Sequence, residues 1–126
     1  MLKDHDAVAT IAVHDLNVAR KFYEGSLGLE PMSGDQTEVV RYRSGKSILL
    51  VYRSSFAGTN KASAVTWGLG KDFGNVVKAL QAKRVPFEHY DGLPGLTRKG
   101  DVHVAGPFSG AWIEDPDGNI LHINNQ

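Results

Sequence analysis

Ala111-Trp112-Ile113-Glu114-Asp115-Pro116-Asp117-Gly118-Asn119-Ile120-Leu121-His122-Ile123-Asn124 is the stretch on which the reading of this chain turns. Two apolar runs flank Asp-Pro-Asp-Gly-Asn, where proline presets φ and glycine admits a positive φ, so the pattern predicts strand, tight turn, strand. In the second run the side chains alternate. Leu121 and Ile123 point to one side; Ile120, His122 and Asn124 point to the other. A strand with an apolar side and an imidazole side needs a core behind it and something else in front.

Working outward, the preceding segments show a plan that occurs twice. Residues Ala7 to His14 alternate as a strand, and Asp15 is an N-cap for a helix running to about Ser26, with Leu16, Ala19, Phe22 and Tyr23 as its buried stripe and Gly28 as its stop. Short strands follow near Leu29 to Met32, Thr37 to Arg43 and Lys46 to Arg53, the last two joined at Ser44-Gly45. The plan then restarts: a strand over Ser63 to Leu69, a helix from Asp72 to about Lys83 with Phe73, Val76, Val77 and Leu80 inward, and a strand over Phe87 to Tyr90. The two helix starts, Asp15-Leu16 and Asp72-Phe73, lie 57 residues apart, which points to internal duplication. The pattern predicts one domain over 1–126, built of a module at about 5–53, a small polar linker at about 54–62 and a module at about 63–126. The glycine-rich stretch Asp91 to Asp101 reads either as a lid or as an ordinary ordered loop.

Composition bounds the function classes. The chain has 126 residues, 41% of them hydrophobic, and 14 basic residues balance 14 acidic ones, so there is core-forming material but no basic face for nucleic acid and no cationic amphipathic helix for a membrane surface. There is no cysteine, hence no disulfide framework and no thiolate metal site. No apolar run approaches the roughly 20 residues that cross a bilayer. The amino terminus lacks the apolar core of a signal peptide, and the expected location is cytoplasmic.

Val13-His14-Asp15-Leu16, Ala19-Arg20-Lys21-Phe22-Tyr23, Leu27-Gly28-Leu29 and Asp115-Pro116-Asp117-Gly118-Asn119, within two βαβββ modules, together resemble the vicinal oxygen chelate superfamily, which includes glyoxalase I, bleomycin and fosfomycin resistance proteins and extradiol dioxygenases. The resemblance implies an α+β fold: tandem βαβββ modules forming an incomplete curled barrel, helices packed outside, the inner faces forming a cleft, and two chains pairing as a homodimer. Metal-using members set His, Glu or Gln on four strands, or on three of the four. Here those positions fall on Val8, Leu50, Ala64 and His122, and only an imidazole among them can bind a divalent ion. Neither a metal nor another cofactor is expected.

Alternation puts Val8, Thr10, Ala12, Ile48, Leu50, Tyr52, Ala64, Thr66, Gly68, Ile120, His122 and Asn124 toward the cleft, with Ile11, Val13, Leu49, Val51, Val65, Trp67, Leu69, Leu121 and Ile123 toward the helices. The candidate ligand-binding residues are Thr10, Leu50, Tyr52, Thr66, His103, Trp112 and His122, an aromatic wall with a few donors and acceptors. The plainer alternative is that Tyr52 and Trp112 fill the barrel and His122 is a satisfied buried histidine. His103 is either a proton-transfer group under a folded-over lid or a surface residue. Arg41 and Arg43 share one strand face and read as solvated. A triad from Ser109, His122 and Asp117 lacks a nucleophile turn, and Gly92 to Gly100 lacks the features of a phosphate cradle. Two functions stay open: a metal-independent binder of an aromatic or flat organic ligand, of the bleomycin-resistance type; or a glyoxalase-like lyase, isomerase or dioxygenase with His122 as its acid-base group or sole remaining metal-ligand position.

Overall fold

A computed structural model describes residues 1–34 and 37–126. The chain divides into two compact units, Met1–Thr59 and Asn60–Gln126. The architecture is α+β with curled mixed sheets and no closed barrel, as the sequence predicts. No helix among the described residues is long and apolar enough to cross a membrane.

In the first unit, strands β1 (Ala9–Val13), β2 (Glu30–Pro31), β3 (Val39–Ser44) and β4 (Ser47–Arg53) form a sheet in the order β1-β4-β3-β2, with β1 and β4 parallel. The helix α1 (Leu16–Arg20) starts where Asp15 leaves extended backbone and its carboxylate accepts the N–H groups of Asn17 and Val18, at 2.8 and 3.2 Å, so two of the orphan donors at the helix start are satisfied. The helix widens into a π-helical segment over Lys21–Ser26 and stops at Gly28, whose φ of 71° lets Leu29 N–H reach back to Tyr23 C=O. Leu16, Ala19, Phe22 and Tyr23 pack into one core with Ile11, Val13, Val40, Tyr42, Leu49 and Val51. Tyr42, buried in that core, donates its hydroxyl hydrogen to Glu24, which also pairs with Arg20 at 2.6 Å.

The second unit runs β5 (Ser63–Gly68), a 3-10 turn over Gly70–Asp72, α2 (Phe73–Ala82), β6 (Thr97–Lys99), β7 (Val102–Ala105), β8 (Phe108–Glu114) and β9 (Ile120–Asn124). The sheet order is β5-β9-β8-β7-β6, with β5 parallel to β9. The core holds Phe73, Val77, Leu80 and Val85 with Ala111, Ile113, Leu121 and Ile123. The β8–β9 turn forms as its sequence dictates: Asp115 Oδ1 accepts the N–H of Asp117 and of Asn119, Asp115 Oδ2 accepts from Asn119 Nδ2, and Gly118 adopts φ 85°. Both Asp115 and Asn119 are buried, so this self-satisfied turn doubles as a polar plug at the end of the sheet.

Three expectations need correcting. Phe87 to Tyr90 is not a strand: Phe87 makes a single bridge to Ile113, flanked by Glu88 N–H to Trp112 C=O and Glu114 N–H to Pro86 C=O. Pro86 supplies no donor and the departing chain follows His103 instead, so pairing cannot propagate. The stretch Asp91 to Asp101 is no free lid but one arm of the β6–β7 hairpin, latched by Arg98 to Asp91 at 2.7 Å and by Asp101 to His89 and Gln81 at 2.7 and 2.9 Å. Trp67, expected in the core, is half-buried at the sheet's rim strand.

Candidate functional site

The two sheets present very different open faces. On the first unit's, Thr10 stands opposite Leu50 and Ala12 opposite Tyr52 in the β1–β4 register, and Arg41 and Arg43 stand beside Leu50 and Ile48 in the β3–β4 register. Thr10 and Tyr52 are exposed and Leu50 half-buried. No ring stacking or titratable cluster involves these three among the described residues, so they form a mixed surface with nothing preorganised on it.

On the second unit's open face, β8 contributes Phe108, Gly110, Trp112 and Glu114, β9 contributes Ile120, His122 and Asn124, β7 contributes His103, and β5 contributes Thr66 opposite His122. Register makes Trp112 and His122 cross-strand partners, and their rings stack with centroids 4.4 Å apart and an interplanar angle of 25°. His103 and Tyr90 each meet Trp112 edge-on, at 4.9 and 5.3 Å, and Phe108 lies 6.4 Å from His122 on its other flank. Gly110 is what lets the rings close up: a Cβ there would stand 2.8 Å from Phe108 and 2.9 Å from His122. The indole N–H of Trp112 donates to Ser63 Oγ at 3.1 Å.

Both imidazoles have fixed roles. A carbonyl only accepts, so the 3.0 Å contact from His122 Nδ1 to Ala111 C=O puts the proton on Nδ1, and Nε2 accepts from Asn124 Nδ2 at 3.3 Å. Burial lowers the His122 pKa and keeps the ring neutral. His103 is neither a surface residue nor beneath a lid; it is fully buried, and its Nε2 accepts the backbone N–H of Tyr90 at 2.9 Å. That leaves the proton on Nδ1, which has no hydrogen-bond partner among the described residues. Burial, assisted by the charge of Arg98, pushes the His103 pKa down.

Glu114 is the other perturbed group. Its hydrogen bond to Glu88, then burial, then the charges of Glu88 and Asp115, push its pKa up to about 7. The bridge of Phe87 to Ile113 brings the segment that carries Glu88 alongside β8 near Glu114, and Tyr90, whose pKa is raised by burial and then by the charges of both glutamates, lies in the same segment.

Of the residues singled out in the sequence, the second unit thus gathers Trp112, His122, His103 and Thr66 on one face, while Thr10, Leu50 and Tyr52 lie on the face of the first unit. Sequence reading missed Tyr90, Phe108, Glu88, Glu114 and Gly110. Alternation from Trp112 would have found three of them, since Phe108, Gly110 and Glu114 lie two or four residues from it along β8.

The resemblance noted in the sequence would imply a metal in many members, and the donor set here does not fit one. Val8, Leu50 and Ala64 carry no donor atom, His122 has both nitrogens engaged, and among the described residues no three His, Asp or Glu side chains converge to hold an ion.

No protein-family profile and no curated protein matches the chain. Solved structures do. A lactoylglutathione lyase from Agrobacterium tumefaciens matches with a TM-score of 0.70 at 17% identity, covering 98% of this chain and 95% of that one. A glyoxalase/bleomycin resistance protein/dioxygenase from Alicyclobacillus acidocaldarius matches with a TM-score of 0.70 at 19% identity, over 98% and 93%. The fosfomycin resistance protein FosX from Listeria monocytogenes matches with a TM-score of 0.70 at 11% identity, over 95% and 91%. At these identities the likeness is one of fold.

Proposed function

We propose that this chain, which has the fold of the vicinal oxygen chelate superfamily, binds a flat or aromatic organic molecule without a metal, on the open sheet face of the second unit. The observation that carries the reading is the Trp112–His122 stack, half-exposed and clamped from behind by Gly110 and from the side by Phe108. A planar ligand extends such a stack at little entropic cost because the rings are already ordered. The neutral His122, with its proton committed to Ala111, serves as a stacking surface; acid-base work would first require Asn124 to withdraw from Nε2. Thr66 and the Glu88–Glu114 pair supply polar contacts at the margins. The resemblance to a family of paired chains makes a homodimer part of this proposal.

Calorimetric titration with a panel of planar heteroaromatic compounds tests it. Binding should survive excess chelator, and Trp112→Leu should weaken it about tenfold, the scale of one well-placed aromatic contact. His122→Leu should weaken it to a comparable degree and also lower the melting temperature, because Ala111 C=O and Asn124 lose their partner. Binding abolished by chelator, or an unchanged affinity in Trp112→Leu, overturns the proposal.

One observation favours a second reading, a lyase or isomerase: Glu114, at about 7, is poised near neutral pH as a general acid or base should be. In that case turnover, and not affinity, collapses in Glu114→Gln.

A further inference from the structure

We propose that His103 is an acid-sensitive pin: its neutral ring holds the segment 86–90 against the sheet through the Tyr90 amide, and protonation of the ring frees that segment. The inference stands on the hydrogen bonding and burial of His103 and does not depend on what the open face binds.

The segment runs along β8 and then leaves it. Glu114 N–H donates to Pro86 C=O at 3.0 Å, Glu88 N–H donates to Trp112 C=O at 2.8 Å, and Tyr90 N–H then donates to His103 Nε2 at 2.9 Å. The last of these bonds is made to a side chain, so Tyr90 is held only as long as the Nε2 lone pair is available. A segment tied by so few bonds opens at low free-energy cost once one of them goes.

An imidazole nitrogen accepts a hydrogen bond only while it carries no proton, and a backbone N–H only donates. The Tyr90 contact therefore fixes His103 as the neutral ring with its proton on Nδ1. A second proton has only Nε2 to go to, where it would set two donors head to head at the Tyr90 amide. Charging the ring and keeping the bond exclude each other.

The surroundings offer the charged ring no compensation. His103 is fully buried. From β6 its register partner is Arg98, itself a cation; from β8 it is Gly110, whose backbone favours the charged ring. In the segment and just beyond it, His89 opposes the charge, and Asp91, the carboxylate that favours it, is already taken by Arg98 at 2.7 and 3.3 Å. The other neighbours are the rings of Tyr90 and Trp112, with His122, kept neutral by burial, stacked on Trp112. Burial first and Arg98 next outweigh Gly110 and Asp91, and the His103 pKa lies below the usual 6.5.

The sign follows from linkage. A released His103 titrates near 6.5 and the pinned one below it, so on acidification the released state takes up its proton first. Pinning is strongest above about pH 6.5 and is lost as pH falls from there through the pinned value. His89 works in the opposite sense, because its positive form is drawn to Asp101 at 2.7 Å; a loss at Tyr90 in acid does not come from that pair. Release draws the Tyr90 ring away from its edge-on contact with Trp112, 5.3 Å between centroids.

Amide hydrogen exchange at pH 7.5 and pH 5, each rate taken relative to the amide's intrinsic rate, is the test. The Tyr90 amide should lose more than about threefold of its protection at pH 5, within the roughly thirtyfold that the interval below pH 6.5 allows, while the Ile123 amide in β9 stays unchanged. His103→Gln, whose side-chain oxygen can accept from Tyr90 and does not titrate, should hold protection equal at both pH values. Nitrogen NMR of the unmodified protein gives an independent reading should that variant fold poorly: His103 should carry its proton on Nδ1 at pH 7.5 and titrate below pH 6.5, in step with the loss at Tyr90. Equal Tyr90 protection at both pH values in the unmodified protein overturns the proposal, as does an undiminished loss in His103→Gln or a proton on Nε2 at pH 7.5.

Discussion

The two units repeat one plan, yet they place their polar groups on opposite sides of the sheet. In the first, the connected polar network of Arg20, Glu24 and Tyr42 ties the π-helical segment to β3, and the open face carries Thr10, Ala12, Ile48, Leu50, Tyr52 and two arginines. In the second, the helix side is apolar, and His122, Glu88, Glu114 and three aromatic rings, Tyr90, Phe108 and Trp112, sit on the open face with His103 buried beneath them. A polar network that anchors a buried tyrosine specifies packing, while one on an open face is available to a ligand or a proton. Duplication of a fold has thus left one copy whose polar groups serve its own packing and one whose polar groups face outward.

That contrast breaks most visibly at Gly110. Gly110→Val should cost about 1–3 kcal/mol, because Phe108 can swing aside but His122 is held at both nitrogens, so the added methyl groups meet an immovable ring. On the first unit's open face Thr10→Val should change stability by less than about 0.5 kcal/mol, since the side chain is exposed and its hydroxyl reaches only its neighbour Val8 C=O. Melting or denaturant unfolding of the two variants compares the faces directly. Equal effects would mean that the open faces are equally ordered and that the second carries no preorganised cluster.

The helix exits sharpen the comparison at a smaller scale. The first unit ends its helix with Gly28 at φ 71°, where Leu29 N–H reaches back six residues to Tyr23 C=O; the second ends α2 with Arg84 at φ 58°, where Val85 N–H reaches back five residues to Leu80 C=O. A left-handed conformation costs an L side chain about 1 kcal/mol and costs glycine nothing, so Arg84→Gly should stabilise by about that amount and Gly28→Ala should destabilise by a similar amount. Chemical denaturation of both variants checks the signs, and a destabilised Arg84→Gly would show that the arginine side chain holds the turn.

Local rules carried the fold. The Asp15 cap, the Gly28 stop, the Asp-Pro-Asp-Gly-Asn turn and the inward stripe of each helix all depend on neighbours within a few residues, and all formed as read save Val76, which is only half-buried. The open face was legible in part: alternation set Thr66, His122 and Asn124 on the correct side. What failed was non-local. Pro86 stands next to Phe87, but nothing near Phe87 says that a buried His103 will draw the chain away after one bridge, and nothing near Glu114 says that the segment of Glu88 will run alongside it. His103 was read from its position after a glycine-rich stretch, but the β6–β7 pairing that buries it depends on Arg98, Asp91 and Asp101 meeting in space.

The smallest effect is at the helix entries, where the sequence made the two units look alike. Asp15 and Asp72 both precede an apolar helix stripe, but only Asp15 folds its carboxylate back onto the first turn. Asp72 is already helical, at φ −83° and ψ −6°, because a 3-10 turn from Gly70 leads into α2, and a residue with helical backbone cannot bring its side chain back over the following N–H groups. The physical reason lies upstream: Gly70 takes φ 53° and donates its N–H to Gln126 C=O, so the chain is committed to the turn before Asp72 is reached. Asp15→Ala should therefore cost about 1 kcal/mol, and Asp72→Ala less than about 0.5 kcal/mol, both read from denaturant midpoints at unchanged m. Equal losses would place a capping bond at Asp72 and restore the symmetry of the two helix starts; a negligible loss at Asp15 would mean that core packing alone sets where the first helix begins.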